Sequence, residues 1–130
     1  MAKKNVLIVK NVLVVDDSKI MRNIVKNTFA TLDISCNFFE ADNGKTAWDK
    51  LEEIKMDIVL LDWNMPQLSG IEFLQRVRTD ERYADLPIVM VTSEAAKYNV
   101  IEALQTGATD YIIKPVNEQK FKDKITKIVF

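Results

Sequence analysis

Ile58-Val59-Leu60-Leu61-Asp62-Trp63-Asn64-Met65-Pro66 is the stretch whose reading decides the fold. Four apolar residues, two of them β-branched, run without interruption and stop at a carboxylate. So short and unbroken a run fits a strand buried on both faces, as in the parallel sheet of an α/β domain. Pro66 cannot continue a ladder, so the chain leaves the sheet just beyond Asp62. Asp62 is then expected at the carboxyl end of its strand, the edge along which open α/β sheets bind their ligands.

Working outward, the pattern repeats. Lys4-Asn5-Val6-Leu7-Ile8-Val9 is followed at once by the near-copy Lys10-Asn11-Val12-Leu13-Val14-Val15, and only the second copy runs into Asp16-Asp17. The second copy is therefore expected to be the first strand, with residues 1–9 an N-terminal extension and 10–130 the domain proper. Ser18 to about Leu32 carries Ile20, Met21, Ile24, Val25, Phe29 and Leu32 at helical spacing. Cys36–Ala41 reads as a second strand, Asp42-Asn43-Gly44 as a turn and Thr46–Ile54 as a helix. After the strand Ile58–Asp62, a helix is expected over Gly70–Arg78 and a polar loop over Thr79–Asp85. Ile88–Thr92 follows as a strand, Ala95–Gln105 as a helix closed near Gly107, and Tyr111–Ile113 as the last strand. Asn117 suits the cap of a final helix reaching about Val129. Five short apolar strands alternating with five helices predict an α/β fold, a doubly wound parallel sheet.

Composition narrows the chemistry. The 130 residues suit one domain, and a hydrophobic share of 48% suffices for a core. No apolar run reaches the roughly 20 residues of a membrane span. The N-terminus lacks a signal-peptide pattern, so a cytoplasmic protein with no membrane association is expected. One cysteine, Cys36, excludes an internal disulfide and reads as a small hydrophobe. With no histidine, Ser-His and Cys-His nucleophiles and the common zinc sites are excluded. A net charge of −1 gives no reason to expect direct nucleic-acid contact.

Four strand ends then carry four kinds of polar residue: Asp16-Asp17, Asp62, Thr92-Ser93 and Lys114-Pro115. Taken singly, each has an ordinary use as a cap or a turn. A parallel sheet places all of them on one edge. Three carboxylates brought together repel unless a cation joins them, and with no His or Cys ligand the fitting cation is magnesium. Lys114 adds a positive charge and Thr92 a hydroxyl suited to a phosphoryl group, and a carboxylate attacking phosphorus forms an acyl phosphate.

The motifs Val14-Val15-Asp16-Asp17-Ser18, Asp62-Trp63-Asn64-Met65-Pro66, Val91-Thr92-Ser93-Glu94 and Tyr111-Ile112-Ile113-Lys114-Pro115 resemble those of the response-regulator receiver domain. Within that family they are most similar to the CheY-like, chemotaxis-type members. The resemblance implies a flavodoxin-like strand order of 2-1-3-4-5. It implies Asp62 as phosphoacceptor, and Mg2+ held by Asp16, Asp17, Asp62 and the backbone carbonyl of Asn64. Thr92 and Lys114 would contact the phosphoryl group, and Tyr111 would be an aromatic switch that turns inward when Thr92 moves. It implies a sensor histidine kinase of the CheA-like kind as donor. The output would be a target docked on the face of the fourth helix, fifth strand and fifth helix, such as a flagellar motor switch protein. Asn64 and Glu94, each two residues past a site residue, could tune the phosphate's lifetime by positioning water. Val116 departs from the aromatic that many relatives carry after Lys-Pro, and the N-terminal near-repeat lies outside the family pattern.

The chain would signal by binding rather than act as an enzyme, beyond self-phosphorylation and self-dephosphorylation. It would be a stand-alone regulator or a receiver cut from a larger, for example transcriptional, one. A magnesium-dependent aspartyl phosphatase is the alternative of another class, but it needs Asp-x-Asp where this chain has adjacent Asp16-Asp17. A receiver-like scaffold without phosphoryl chemistry is a third reading.

Overall fold

The computed structural model describes residues 9–129. Five parallel strands, β1 (Val9–Val15), β2 (Ser35–Ala41), β3 (Ile58–Leu61), β4 (Ile88–Thr92) and β5 (Asp110–Ile113), form one sheet in the order β2-β1-β3-β4-β5. The expected doubly wound α/β fold and its strand order are therefore present. The five helices are α1 (Lys19–Phe29), α2 (Gly44–Glu53), α3 (Gly70–Arg78), α4 (Lys97–Thr106) and α5 (Glu118–Val129). The expected polar loop over 79–85 contains a single 3-10 turn, Glu81–Tyr83. The first copy of the near-repeat falls outside the described residues except for Val9, which opens β1.

Alternation of side chains about the strands divides the core in two. Leu13, Val15, Val59, Leu61, Ile88 and Met90 face α2, α3 and α4, with Ala47, Phe73 and Ala103 packed over them. Val12, Val14, Ile58, Leu60, Val89 and Val91 face the other way, onto Val25 and Phe29 of α1 and Phe121 and Ile125 of α5. Every residue of β3 and β4 is buried, which explains why both read as unbroken apolar runs. Phe29 fills the second layer by edge-to-face contact with Phe38 and Phe121, ring centroids 5.9 and 6.0 Å away. Cys36 packs half-buried against the same layer, and burial pushes its thiol pKa up, so it behaves as a small hydrophobe.

Three helices differ from expectation. Helix α2 begins at Gly44, inside the expected turn, because Asn43 caps it by accepting from the Thr46 N–H. On α1 only Val25, Phe29 and the following Leu32 face the core, while Ile20 is 73% exposed and Ile24 40%. A helix turns about 100° per residue, which places positions 20 and 24 well off the stripe of 25, 29 and 32. The helix also ends at Phe29, with the Ala30 N–H still bonded to the Lys26 carbonyl. Helix α4 starts at Lys97 instead of Ala95, because Ala96 is extended (φ −64°, ψ 138°) and the Glu94 carbonyl is engaged by Tyr111. Its end is as expected: Gly107 sits at φ 122°, a conformation that favours glycine.

Candidate functional site

The site lies on the carboxyl edge of the sheet, and the ladders themselves position it. The Asp16 N–H donates to the Ala41 carbonyl (3.0 Å), the Asp62 N–H to Val15 (2.9 Å) and the Lys114 N–H to Thr92 (2.9 Å). Each of these residues thus stands one step past its strand, with its backbone still in register. Beyond Asp62 the loop folds back so tightly that Gly70 donates to the Trp63 carbonyl (2.8 Å). A Cβ on Gly70 would lie 2.0 Å from the Asp62 carbonyl oxygen, so only glycine fits there. Ser69 then caps α3 through a reciprocal capping box with Glu72.

The predicted residues do gather. Carboxylate oxygens of Asp16, Asp17 and Asp62 all lie within 4.8 Å of one another, with Asp16 and Asp62 buried and Asp17 exposed. Lys114 Nζ is 2.8 Å from Asp16 Oδ2 and 3.6 Å from Asp62 Oδ2, one ammonium among three carboxylates. Thr92 is fully buried beside them. Burial pushes the Asp62 carboxyl above the usual range, and the neighbouring Asp16 charge adds to that. The Thr92 hydroxyl, Lys114 and the Trp63 N–H, which donates to Asp62 Oδ1 at 2.8 Å, pull it back. An ionised Asp62 here is under-compensated, which a second cation would relieve. The donors are all hard oxygens, and that set suits magnesium.

Ser18 caps α1. Its Oγ accepts from the Met21 N–H (3.2 Å), while its own N–H donates to Asp16 Oδ1 (2.9 Å). The cap and the acidic pair are thus one structure.

On the rim, Asn64 Nδ2 donates to Glu94 Oε2 at 2.7 Å, joining the two residues named for lifetime. Tyr111 is buried, and its hydroxyl donates to the Glu94 backbone carbonyl at 2.6 Å. Here the aromatic is already inward. Burial, with Glu94 and Asp62 nearby, raises its phenol to about 12, so the hydroxyl stays a donor at any ordinary pH.

Three supporting residues were missed by reading motifs. Arg22 donates to the Asp16 carbonyl (2.6 Å) and to Glu40 (2.8 Å), stitching α1 to β2 beneath the acidic pair. Its place one turn into α1 carries no signal in sequence. Gly70 reads locally as a helix start, and its contact with Asp62 exists only once the loop closes. Asn99 of α4, buried, donates to Glu94 Oε1 at 3.2 Å. A polar residue on the otherwise apolar face with Ala103 was the one available hint.

Comparison with known proteins agrees with this geometry. The response regulator receiver domain family matches residues 12–126. Chemotaxis protein CheY of Pseudomonas aeruginosa is 45% identical over 117 residues, which cover 90% of this chain and 94% of that protein. A chemotaxis protein CheY homolog of Campylobacter jejuni is 43% identical over 120 residues, covering 90% of each. The solved structure of the chemotaxis response regulator CheY4 of Vibrio cholerae superposes with a TM-score of 0.82 at 30% identity. It covers 93% of this chain and 99% of that one. With acidic pair, lone aspartate, threonine and lysine meeting on the edge of a 2-1-3-4-5 sheet, the chain belongs to the response regulator receiver domain family, among its CheY-like members.

Proposed function

We propose that the protein is a phosphorylation-dependent switch of the chemotaxis type, working in the cytoplasm. Asp62 accepts a phosphoryl group from a CheA-like sensor histidine kinase. An Asp62 carboxylate oxygen attacks phosphorus and forms a P–O bond. The P–N bond to the kinase imidazole breaks, and the imidazole leaves with the bonding pair and takes up a proton. Asp16, Asp17, Asp62 and the Asn64 backbone carbonyl would hold Mg2+, which when bound offsets the negative charge gathered around the phosphoryl oxygens. Lys114, already within 3.6 Å of Asp62, provides a second positive charge, and the buried Thr92 hydroxyl donates to a phosphoryl oxygen.

The single observation that carries this reading is the convergence of Asp16, Asp17 and Lys114 around a buried Asp62. The output surface is the α4, β5 and α5 face, where Tyr98 (73% exposed), Ile101, Leu104 and Ile113 present apolar side chains. Such a patch suits a protein partner, and a flagellar motor switch protein is the target in this reading. Thr92 and Tyr111 link the two regions, since Glu94 bonds to both.

The test is labelling with acetyl phosphate. The parent should take up acid-stable, alkali-labile phosphate only with magnesium present, and Asp62→Asn should take up none. Asp17→Asn should require a higher magnesium concentration for half-maximal labelling, read in parallel from Trp63 fluorescence. Full labelling of Asp62→Asn would overturn the assignment.

A further inference from the structure

Glu94 sits on a loop, yet all its polar groups are engaged. Its N–H donates to Thr92 Oγ1 (3.3 Å), and its carbonyl accepts from the Tyr111 hydroxyl (2.6 Å). Its two carboxylate oxygens accept from different amides: Oε2 from Asn64 (2.7 Å) and Oε1 from Asn99 (3.2 Å). Asn64 is exposed and Glu94 half-exposed. Two such side chains bonded at a surface, with nothing behind them, keep much of their rotational freedom. Asn99 changes that. It is 9% exposed, on the inward side of a helix, and its side-chain bond is to Glu94. Burying an amide in place of a hydrocarbon costs free energy unless the amide is bonded, so packing alone does not account for an asparagine here. Nor is the first turn of α4 held by its cap, since Ala96 has no side-chain bond to offer.

We propose that Asn99 is a positioning residue for loss of phosphate from Asp62. By holding one oxygen of Glu94, it aims the other at Asn64. That fixes the Asn64 amide with its NH2 toward Glu94, leaving its carbonyl oxygen to accept a hydrogen bond from the attacking water. In the step itself the water oxygen forms a bond to phosphorus as the Asp62–phosphorus P–O bond breaks. The aspartate leaves as a carboxylate, and the proton goes to solvent with inorganic phosphate as product. Positioning is most of what a protein can contribute to such a reaction. The inference rests on the reading that Asp62 carries the phosphate and Asn64 orients the water.

The experiment follows decay of acetyl-phosphate-labelled protein in magnesium for five chains: parent, Asn64→Ala, Asn99→Ala, Asn99→Asp, and Asn64→Ala with Asn99→Ala. Contacting residues typically couple strongly enough that Asn99→Ala should slow decay roughly threefold. Asn99→Asp keeps the shape but sets a carboxylate against Glu94, and should slow decay at least as much. The double variant should decay no more slowly than Asn64→Ala alone, because the path runs through Asn64. Parental decay in either Asn99 variant overturns the proposal. So does an Asn99→Ala effect of equal size in both backgrounds, which would mean general loosening of α4. Parental decay in Asn64→Ala would instead remove the role of Asn64 on which the proposal stands, and failure of the parent to label would remove that of Asp62.

Discussion

The two ends of the sheet use polar residues in opposite ways. At the amino edge, side chains complete the backbone. The Asn11 N–H donates to Asp57 Oδ2 (2.7 Å) while the Asp57 N–H donates to the Asn11 carbonyl (2.8 Å). The Ile88 N–H donates to Thr109 Oγ1 (3.0 Å) and the Thr109 N–H returns to the Ile88 carbonyl (2.7 Å). Asn11 also reaches Lys55 and Asn37. These reciprocal pairs seal strand ends and leave little to attract a ligand. At the carboxyl edge, Asp16, Asp17 and Asp62 are set against one another with one lysine between them. The first arrangement lowers the energy of the fold. The second gathers like charges that repel and is held in place by the fold. An aspartate near a strand end is therefore not a site by residue type: Asp57 closes a reciprocal pair with Asn11, whereas Asp62 stands with two further carboxylates and Lys114.

That contrast can be broken most severely at Gly70. Gly70→Ala should cost at least ~3 kcal/mol, the upper end of overpacking, because the new methyl meets backbone that cannot yield. Chemical denaturation would show it, and unchanged stability would mean the loop is not closed on Asp62. Next comes the amino edge. Asp57→Ala strips the Asn11 N–H of its partner and should cost about 1–2 kcal/mol. Phosphate uptake should be unchanged once the protein is folded.

The carboxyl edge should respond with the opposite sign. Burial raises the Asp62 carboxyl above its ordinary 3.8, so its protonated form is the one the fold favours. That contribution is fully present below about pH 3.8 and is lost as pH rises through the folded value. Asp62→Asn, neutral throughout, should therefore be more stable than the parent at pH 7 in EDTA. The difference in Tm should shrink as pH falls through the raised value and vanish below about 3.8. A loss of stability at pH 7 would show that Lys114 and Thr92 more than offset the burial. The smallest effect is expected from the N-terminus: removing residues 1–8 should leave phosphate uptake at the parental level, since β1 begins at Val9. A drop in labelling would give the first copy of the near-repeat a part in the domain.

Much of this molecule was legible without coordinates, for reasons visible in particular residues. β3 and β4 are buried on both faces and must be apolar throughout, so Ile58–Leu61 and Ile88–Thr92 announced themselves. A doubly wound sheet then leaves few places for Asp16, Asp62, Thr92 and Lys114 other than one edge, and their gathering follows from topology. Helix faces were less legible, because Ile20 and Ile24 are apolar yet exposed, and composition does not distinguish a buried residue from a docking one. Sequence alone thus determined the layers, the strand order through family resemblance, and the set of residues that meet. Tertiary structure decided what those residues touch. The close approach of Gly70 to Asp62, the support of Asp16 by Arg22, the inward place of Tyr111 and the bonds of Asn64 and Asn99 to Glu94 all join elements distant in the chain. Periodicity reports only which face a residue takes, whereas a hydrogen bond between side chains depends on distances of a few tenths of an ångström that the packed whole sets.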